Sequence, residues 1–402
     1  MHDGVATDNT EKTRKRSFRF LLYSRALRSA ALIYMTLSFS LYLHALKVSI
    51  IDIGIVAALT ILFALFLTLG LGMLGDRKGY RYELAISEFF TMAGAFLIAA
   101  SSSVLPIMIG MIIAGISTGS GGMRGAFSPG SSAYIASIYG EEKERVRKFS
   151  SINIIAAVFS IVGSLMFGMV GLVSVYAGVL HAYRYLFLVA AFMMLGSLAF
   201  VMMLAEPARP KKSTRIMKKE SMTYIMRVIA ANVVGGAGVG IAIPLLPLWF
   251  NLIFKATNVE ISTVFGISYV ATALGAYYAS RLAGRAGVLN MAAGTRSLNG
   301  ILLVALALSP AFPIAGAIYI IRAFVAGSGS PNRSTVTVKG IGNEDYGTAT
   351  SLQGIATRAS QLSSGASGYL LDYALPLPLE VGGILQLISG ALYKILLKPK
   401  GK

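Results

Sequence analysis

An all-α membrane protein is the fold class this sequence predicts, and three observations predict it. Stretches of ~20 mainly apolar residues recur along nearly the whole chain, each long enough to cross a bilayer. Hydrophobic residues make up 55% of the 402 positions and charged residues only 13%, with a mean hydropathy of +0.69. A soluble domain carries about 25% charged residues to cover its surface. The basic residues, finally, sit in short clusters between the apolar runs, as they do in cytoplasmic loops. Taken in order, the runs predict twelve transmembrane helices in two pseudo-symmetric six-helix bundles.

Residues 1–20 form a polar tail in which Lys12, Arg14, Lys15, Arg16 and Arg19 precede the first apolar run. No small-residue cleavage pattern follows, so a disordered cytoplasmic tail is expected and not a signal peptide. The N-terminal bundle, 21–205, holds spans at about 21–46, 53–74, 82–100, 107–138, 150–176 and 183–204. A short turn over 47–52 joins the first two. Ser101, Ser102, Ser103 and Pro106 form a minimal outer loop, and Glu141–Lys148 a charged inner turn. The fourth span is dense in glycine and carries Arg124 and Pro129. Residues 206–221 read as a cytoplasmic linker, because Pro207, Pro210 and a basic run interrupt the apolar pattern. The C-terminal bundle, 222–397, holds spans at about 222–253, 262–280, 291–308, 313–336, 347–373 and 381–397, and 398–402 form a cytoplasmic tail.

Orientation follows from the loops. With the N-terminus inside, outer loops hold only Lys47, Arg184 and Lys255, and nearly all other loop Lys and Arg fall inside. That asymmetry predicts cytoplasmic N- and C-termini in a multi-pass protein of the cell membrane. Trp249 falls near the outer end of the seventh span, a suitable depth for an interfacial aromatic. The halves also repeat. At one offset Arg25 falls on Arg227, Pro129 on Pro331 and Gly140 on Gly342. At a slightly larger offset the segment 74–79 falls on 282–287. Parallel repeats of this kind place a cavity between two bundles that rock about it. Ser160-x-x-x-Ser164-x-x-x-Gly168 and Gly115-x-x-x-Gly119 are small-residue faces suited to close helix approach.

The turn between the second and third spans is the most distinctive stretch: Gly72-x-Leu74-x-Asp76-Arg77-x-Gly79-x-Arg81. Gly79 permits a tight reversal. Asp76 can accept hydrogen bonds from amides at a helix start, and the basic side chains can meet lipid head groups or a helix end. This spacing, between two apolar spans, resembles the cytoplasmic turn of major facilitator superfamily transporters, and the resemblance extends over 21–397. It implies a twelve-helix fold and a secondary transporter working by alternating access. It also implies that Gly72, Asp76, Arg77, Gly79 and Arg81 gate the conformational change. Arg124 looks like the fourth-helix arginine that members use in proton transfer or substrate coupling. Two family features are missing: the Gly-Pro signature of drug–proton antiporters is absent from the fifth span, and the first span has no carboxylate. Both departures count against cation-drug efflux. Sugar-porter signatures are also not evident.

Charges inside the spans point to the cargo. Arg25, Arg28, Arg227, Arg296 and Arg333 fall in the inner parts of their spans, where their stems can snorkel to the interface. Arg124, Arg322 and Arg358 fall close to midspan, where a guanidinium must face protein or water and have a partner. Glu88 is the one comparably embedded acid and the candidate proton carrier. Either helix carbonyls, Glu88 and polar neighbours satisfy the three arginines, or they line a cavity that takes an anionic or carboxylate-bearing solute. A neutral or amphipathic, drug-like cargo is the alternative, and a channel or receptor is the alternative of another class. His44 reads as an interfacial bystander. The expected partners are a small solute, membrane lipids and protons, with the protein a monomer. Nucleic acid is not expected, because the formal charge of +19 is spread among membrane-flanking clusters. The absence of cysteine excludes disulfides and thiolate metal sites. No catalytic residues, metal or cofactor are expected, since the three histidines lie away from any acidic pair and no phosphate-binding glycine loop occurs.

Overall fold

The structure, a computed structural model, describes residues 2–116, 127–139, 141–206, 218–339, 341 and 346–397. They are helical throughout: α1 (His2–Ala45), α2 (Ile50–Lys78), α3 (Tyr80–Ala100), α4 (Val104–Ile113), α5 (Phe127–Ile138), α6 (Glu142–Ala177), α7 (Val179–Met202), α8 (Lys219–Ala242), α9 (Leu246–Phe254), α10 (Asn258–Ala286), α11 (Val288–Ala307), α12 (Phe312–Lys339), α13 (Tyr346–Ser360), α14 (Ser364–Tyr373) and α15 (Leu377–Leu397). Among the described residues ten helices are long and apolar enough to cross a membrane. The protein is therefore an all-α, multi-pass membrane protein.

Three expected spans differ in detail. The fourth is represented by α4 and α5, and the residues between 116 and 127 lie outside the described set. The seventh is broken at Ile243–Leu245, where Pro244 removes a backbone donor and Pro247 restarts the helix in the first turn of α9. In the eleventh, a 3-10 turn at Gln361–Ser363 separates α13 from α14. Hydroxyls there compete for backbone carbonyls: Ser360 donates to Thr357 O at 2.8 Å and Ser363 to Ala237 O at 2.8 Å. Gly236 and Gly240 of α8 make room for those two serines, since a Cβ on either glycine would strike a serine Oγ.

Two charged segments expected as non-helical are helical. The tail before Leu21 continues α1 from His2, with Lys15 and Glu11 paired one turn apart at 2.6 Å. Glu142–Lys148 opens α6, because its Glu, Lys and Arg are good helix formers and it holds no Pro or Gly.

The chain divides into two compact units, Met1–Phe39 with Phe63–Lys212, and Ser40–Leu62 with Ser213–Lys402. In the first, α3 packs on α7, α4 and α5, and α6 on α7. Its core gathers Phe18, Leu21, Leu84, Phe127, Tyr134, Ile152 and Val201. Gly163 lies against Ala30 O, and a Cβ there would displace the α1 backbone. In the second unit, α10 packs on α12, and α11 on α15 and α12, while α8 packs on α15 and α13. Gly300 and Gly383 face each other's carbonyls across α11 and α15, the close approach that small residues permit.

Local features recur along the chain at the larger of the two sequence offsets. Lys47 and Lys255 are the only non-glycine residues with positive φ among those described, at 63° and 54°. Each is followed by a helix-start box. Ser49 and Asp52 bond reciprocally, with Ser49 Oγ donating at 2.6 Å, and Thr257 and Glu260 do the same at the start of α10. Gly79 and Gly287 take φ of 124° and 82° between the next pairs of helices.

Candidate functional site

Of the two midspan arginines among the described residues, Arg322 is the more completely enclosed. It lies ten residues into α12, about 15 Å along the axis at 1.5 Å per residue and so near the centre of a ~30 Å hydrocarbon layer. Its side chain is 9% exposed. The guanidinium carbon lies 5.6 Å from the ring centroid of Tyr319, one turn earlier. Nε is buried with no hydrogen-bond acceptor among the described residues, and no described carboxylate pairs with the group. Tyr319 in turn joins an aromatic wall, 4.9 Å from Phe265 and 6.2 Å from Phe250 between centroids. Arg358, on α13, is half-buried and engaged by its surroundings. Arg124 lies outside the described residues.

Glu88, on α3, is 0% exposed and bound to α1: Arg28 Nη1 donates to its Oε1 at 2.8 Å. Arg28 also lies over the Phe127 ring, 4.6 Å from its centroid. Arg25, one turn earlier on the same helix, is fully buried and in contact with protein. Close by in sequence, Ser24 and Ser197 of α7 share a hydrogen bond of 2.8 Å. Contrary to the expectation that they snorkel, Arg25 and Arg28 turn into the first unit. Glu83 is a second embedded acid, 2% exposed, that the sequence did not single out. Its carboxylate fills the space that Gly75 and Gly130 leave.

The second unit holds a polar cluster that was also unexpected. Arg296 of α11, 9% exposed, donates from Nη1 to Gln386 Oε1 at 3.0 Å and from Nη2 to Asn232 Oδ1 at 3.1 Å. Tyr393 donates to the same Asn232 oxygen at 2.8 Å. One signal could have found it: the offset that lays 74–79 on 282–287 also lays Glu88 on Arg296, so the two embedded charges coincide at that offset. Arg227, in contrast, is exposed on α8.

The turn between α2 and α3 is built around a carboxylate from elsewhere. Gly79 precedes α3 with no side-chain cap of its own. Glu206, beyond the end of α7, accepts from Tyr80 N at 3.0 Å and from Arg81 N at 3.1 Å, satisfying two amides that the helix start leaves free. A side chain at Gly79 would collide with that carboxylate. Arg81 Nη1 donates to Leu204 O at 3.4 Å, Tyr134 Oη to Ala205 O at 2.7 Å, and Ala205 N to Ser17 Oγ at 3.2 Å. The end of α7 is thus tied to α1, α3 and α5. Gly72 is half-buried on α2 with open space at its Cα. Arg77 is exposed but engaged. The Asp76 side chain lies outside the description. The capping observed at this helix start comes from Glu206.

Residues 22–365 match the sequence pattern of the Major Facilitator Superfamily. The chain belongs to that superfamily. This superfamily member is a membrane transporter and not an enzyme, and no group of metal-ligating side chains occurs among its described residues. Its fold is similar to an auto-inhibited POT family peptide transporter, with a TM-score of 0.77 at 11% identity, covering 96% of this chain and 98% of the other. It is also similar to a bacterial homologue of the human lysosomal transporter Spinster in an inward-facing, occupied conformation, with a TM-score of 0.74 at 12% identity and coverage of 96% and 97%. A nucleoside transporter is similar as well, with a TM-score of 0.71 at 14% identity and coverage of 95% and 98%. At such identities the likeness is one of fold. A stretch of 134 residues is 30% identical to Myo-inositol transporter 2 of Cryptococcus neoformans var. grubii, spanning 29% of this chain and 23% of that transporter.

Proposed function

We propose that this secondary transporter moves a small anionic or carboxylate-bearing solute by alternating access between two six-helix bundles, with both termini in the cytoplasm. The observation that carries the reading is Arg322: a guanidinium near midspan, nine-tenths buried, stacked on Tyr319 and without a described carboxylate. A cation held at that depth needs an anionic or strongly accepting partner, and a solute carboxylate matches its forked donors. Arg358 and Arg124 assist Arg322 in this reading. Gly72, Asp76, Arg77, Gly79 and Arg81 act in gating, with Glu206 fastening the turn. Coupling to protons runs through Glu88, whose protonation would release Arg28 from the ion pair.

A second reading, export of neutral or amphipathic compounds, is favoured by the aromatic wall of Phe250, Phe265 and Tyr319 that continues from Arg322. Purified protein challenged with matched anionic, neutral and cationic solute sets separates the two, because a ligand that binds only the folded state raises its melting temperature. Under the first reading, anionic solutes stabilise the protein and Arg322→Ala weakens them by about 10–100-fold, the equivalent of ~1.5–3 kcal/mol for a charged hydrogen bond. Stabilisation by neutral compounds alone, undiminished in Arg322→Ala, would establish the second.

A further inference from the structure

Two buried donors in the cluster around Arg296 have no acceptor among the described residues. Asn232 is oriented by two bonds that both end on its Oδ1, from Arg296 Nη2 at 3.1 Å and Tyr393 Oη at 2.8 Å. Its amide nitrogen is then a donor, and it is buried with no acceptor. Arg296 uses Nη1 and Nη2 on neutral oxygens, and its buried Nε has no acceptor. Gln386 cannot help, because its own amide donates to Gly235 O. A second cation stands beside the cluster. A Cβ on Gly329 would strike both Arg333 Nη1 and Thr295 Oγ1, so the Arg333 guanidinium lies against the residue preceding Arg296. Arg333 is half-buried and donates no hydrogen bond to a described side chain, and neither arginine pairs with a described carboxylate.

Among the described residues, two like charges and two orphaned donors in one helix bundle meet no negatively charged acceptor. We propose that α8, α11, α12 and α15 enclose a binding site for a small anion, a halide or the carboxylate of a small acid, held by Arg296, Arg333 and the Asn232 amide. The site is separate from Arg322: the two α12 arginines lie eleven residues apart, about 16 Å along the axis. It sits toward the Lys339 end of α12, where half-buried Arg333 offers the way in. Its occupant offsets one of the two positive charges and meets the orphaned donors, and thereby stabilises the bundle, whatever the transported solute is.

The test uses the purified full-length protein at constant ionic strength, replacing morpholinoethanesulfonate, a much larger anion, with chloride or with acetate. The expected result is a saturable rise in melting temperature of a few degrees with at least one of them. Chloride alone would mark a halide site, and acetate a carboxylate site. The rise should vanish in Arg333→Gln and in Arg296→Gln and persist in Arg322→Gln. Should Arg296→Gln not fold, Arg333→Gln decides, since the Arg333 side chain makes no hydrogen bond to a described residue. No rise in the unmodified protein, a rise undiminished in Arg333→Gln, or a rise lost only in Arg322→Gln would overturn the assignment.

Discussion

Arg28 and Glu88 carry opposite charges on helices sixty residues apart and meet where neither reaches solvent, with side chains 3% and 0% exposed. Removing one partner of such a pair strands the other, at a cost of about 3–5 kcal/mol, whereas removing both restores much of it. Arg28→Gln and Glu88→Gln are each expected to lower the thermal unfolding midpoint strongly, and the double variant less than the sum of the two. Additive single effects would show that the pair does not form. Both charges were visible in the sequence as embedded residues, but their partnership was not: a helical repeat shows which residues share a face and not which helix that face meets. Arg322 differs in kind. Arg322→Lys keeps the charge but loses the planar fork, so it should retain folded protein while transport in vesicles falls. Transport at the unmodified rate would remove Arg322 from the solute path.

At the scale of elements, the start of α3 depends on a residue supplied from beyond α7. Glu206→Gln keeps the shape and loses the charge that complements the helix N-terminus, and Glu206→Ala loses the cap altogether. A graded loss is expected, with Ala costing about 1–2 kcal/mol, the upper range for a helix cap. Gly79→Ala should match or exceed it, since Gly79 has φ of 124° and its Cβ would strike the carboxylate. Thermal melts of the three variants check this order, and a Gly79→Ala protein as stable as the parent would contradict the geometry. The turn glycine was legible, because only glycine takes that backbone conformation readily. Glu206 was not, because in sequence it looks like the first charge of a linker. The breaks at Ile243–Leu245 and Gln361–Ser363 divide equally: Pro244 announces the first, while the second depends on serine hydroxyls meeting glycines on α8.

For the whole molecule, the charge asymmetry of the loops predicts where each loop lies, and the chain is ready for the test because it contains no cysteine. Single cysteines at Lys47 and Lys255 should react with a membrane-impermeant thiol reagent in intact cells. Cysteines at Lys148 and Lys339 should react only after the membrane is opened. Labelling of either inner position in intact cells would overturn the proposed orientation. Long apolar runs were enough to establish that the chain is helical and spans the membrane many times, because bilayer crossing demands long apolar helices. Tertiary structure alone decided which buried charges are matched. Glu88 took Arg28 as partner, Glu206 went to α3, and Arg296 met the neutral oxygens of Gln386 and Asn232. A charge's partner is set by which helices are neighbours in space, and contacts between residues distant in the chain leave no periodic trace along it.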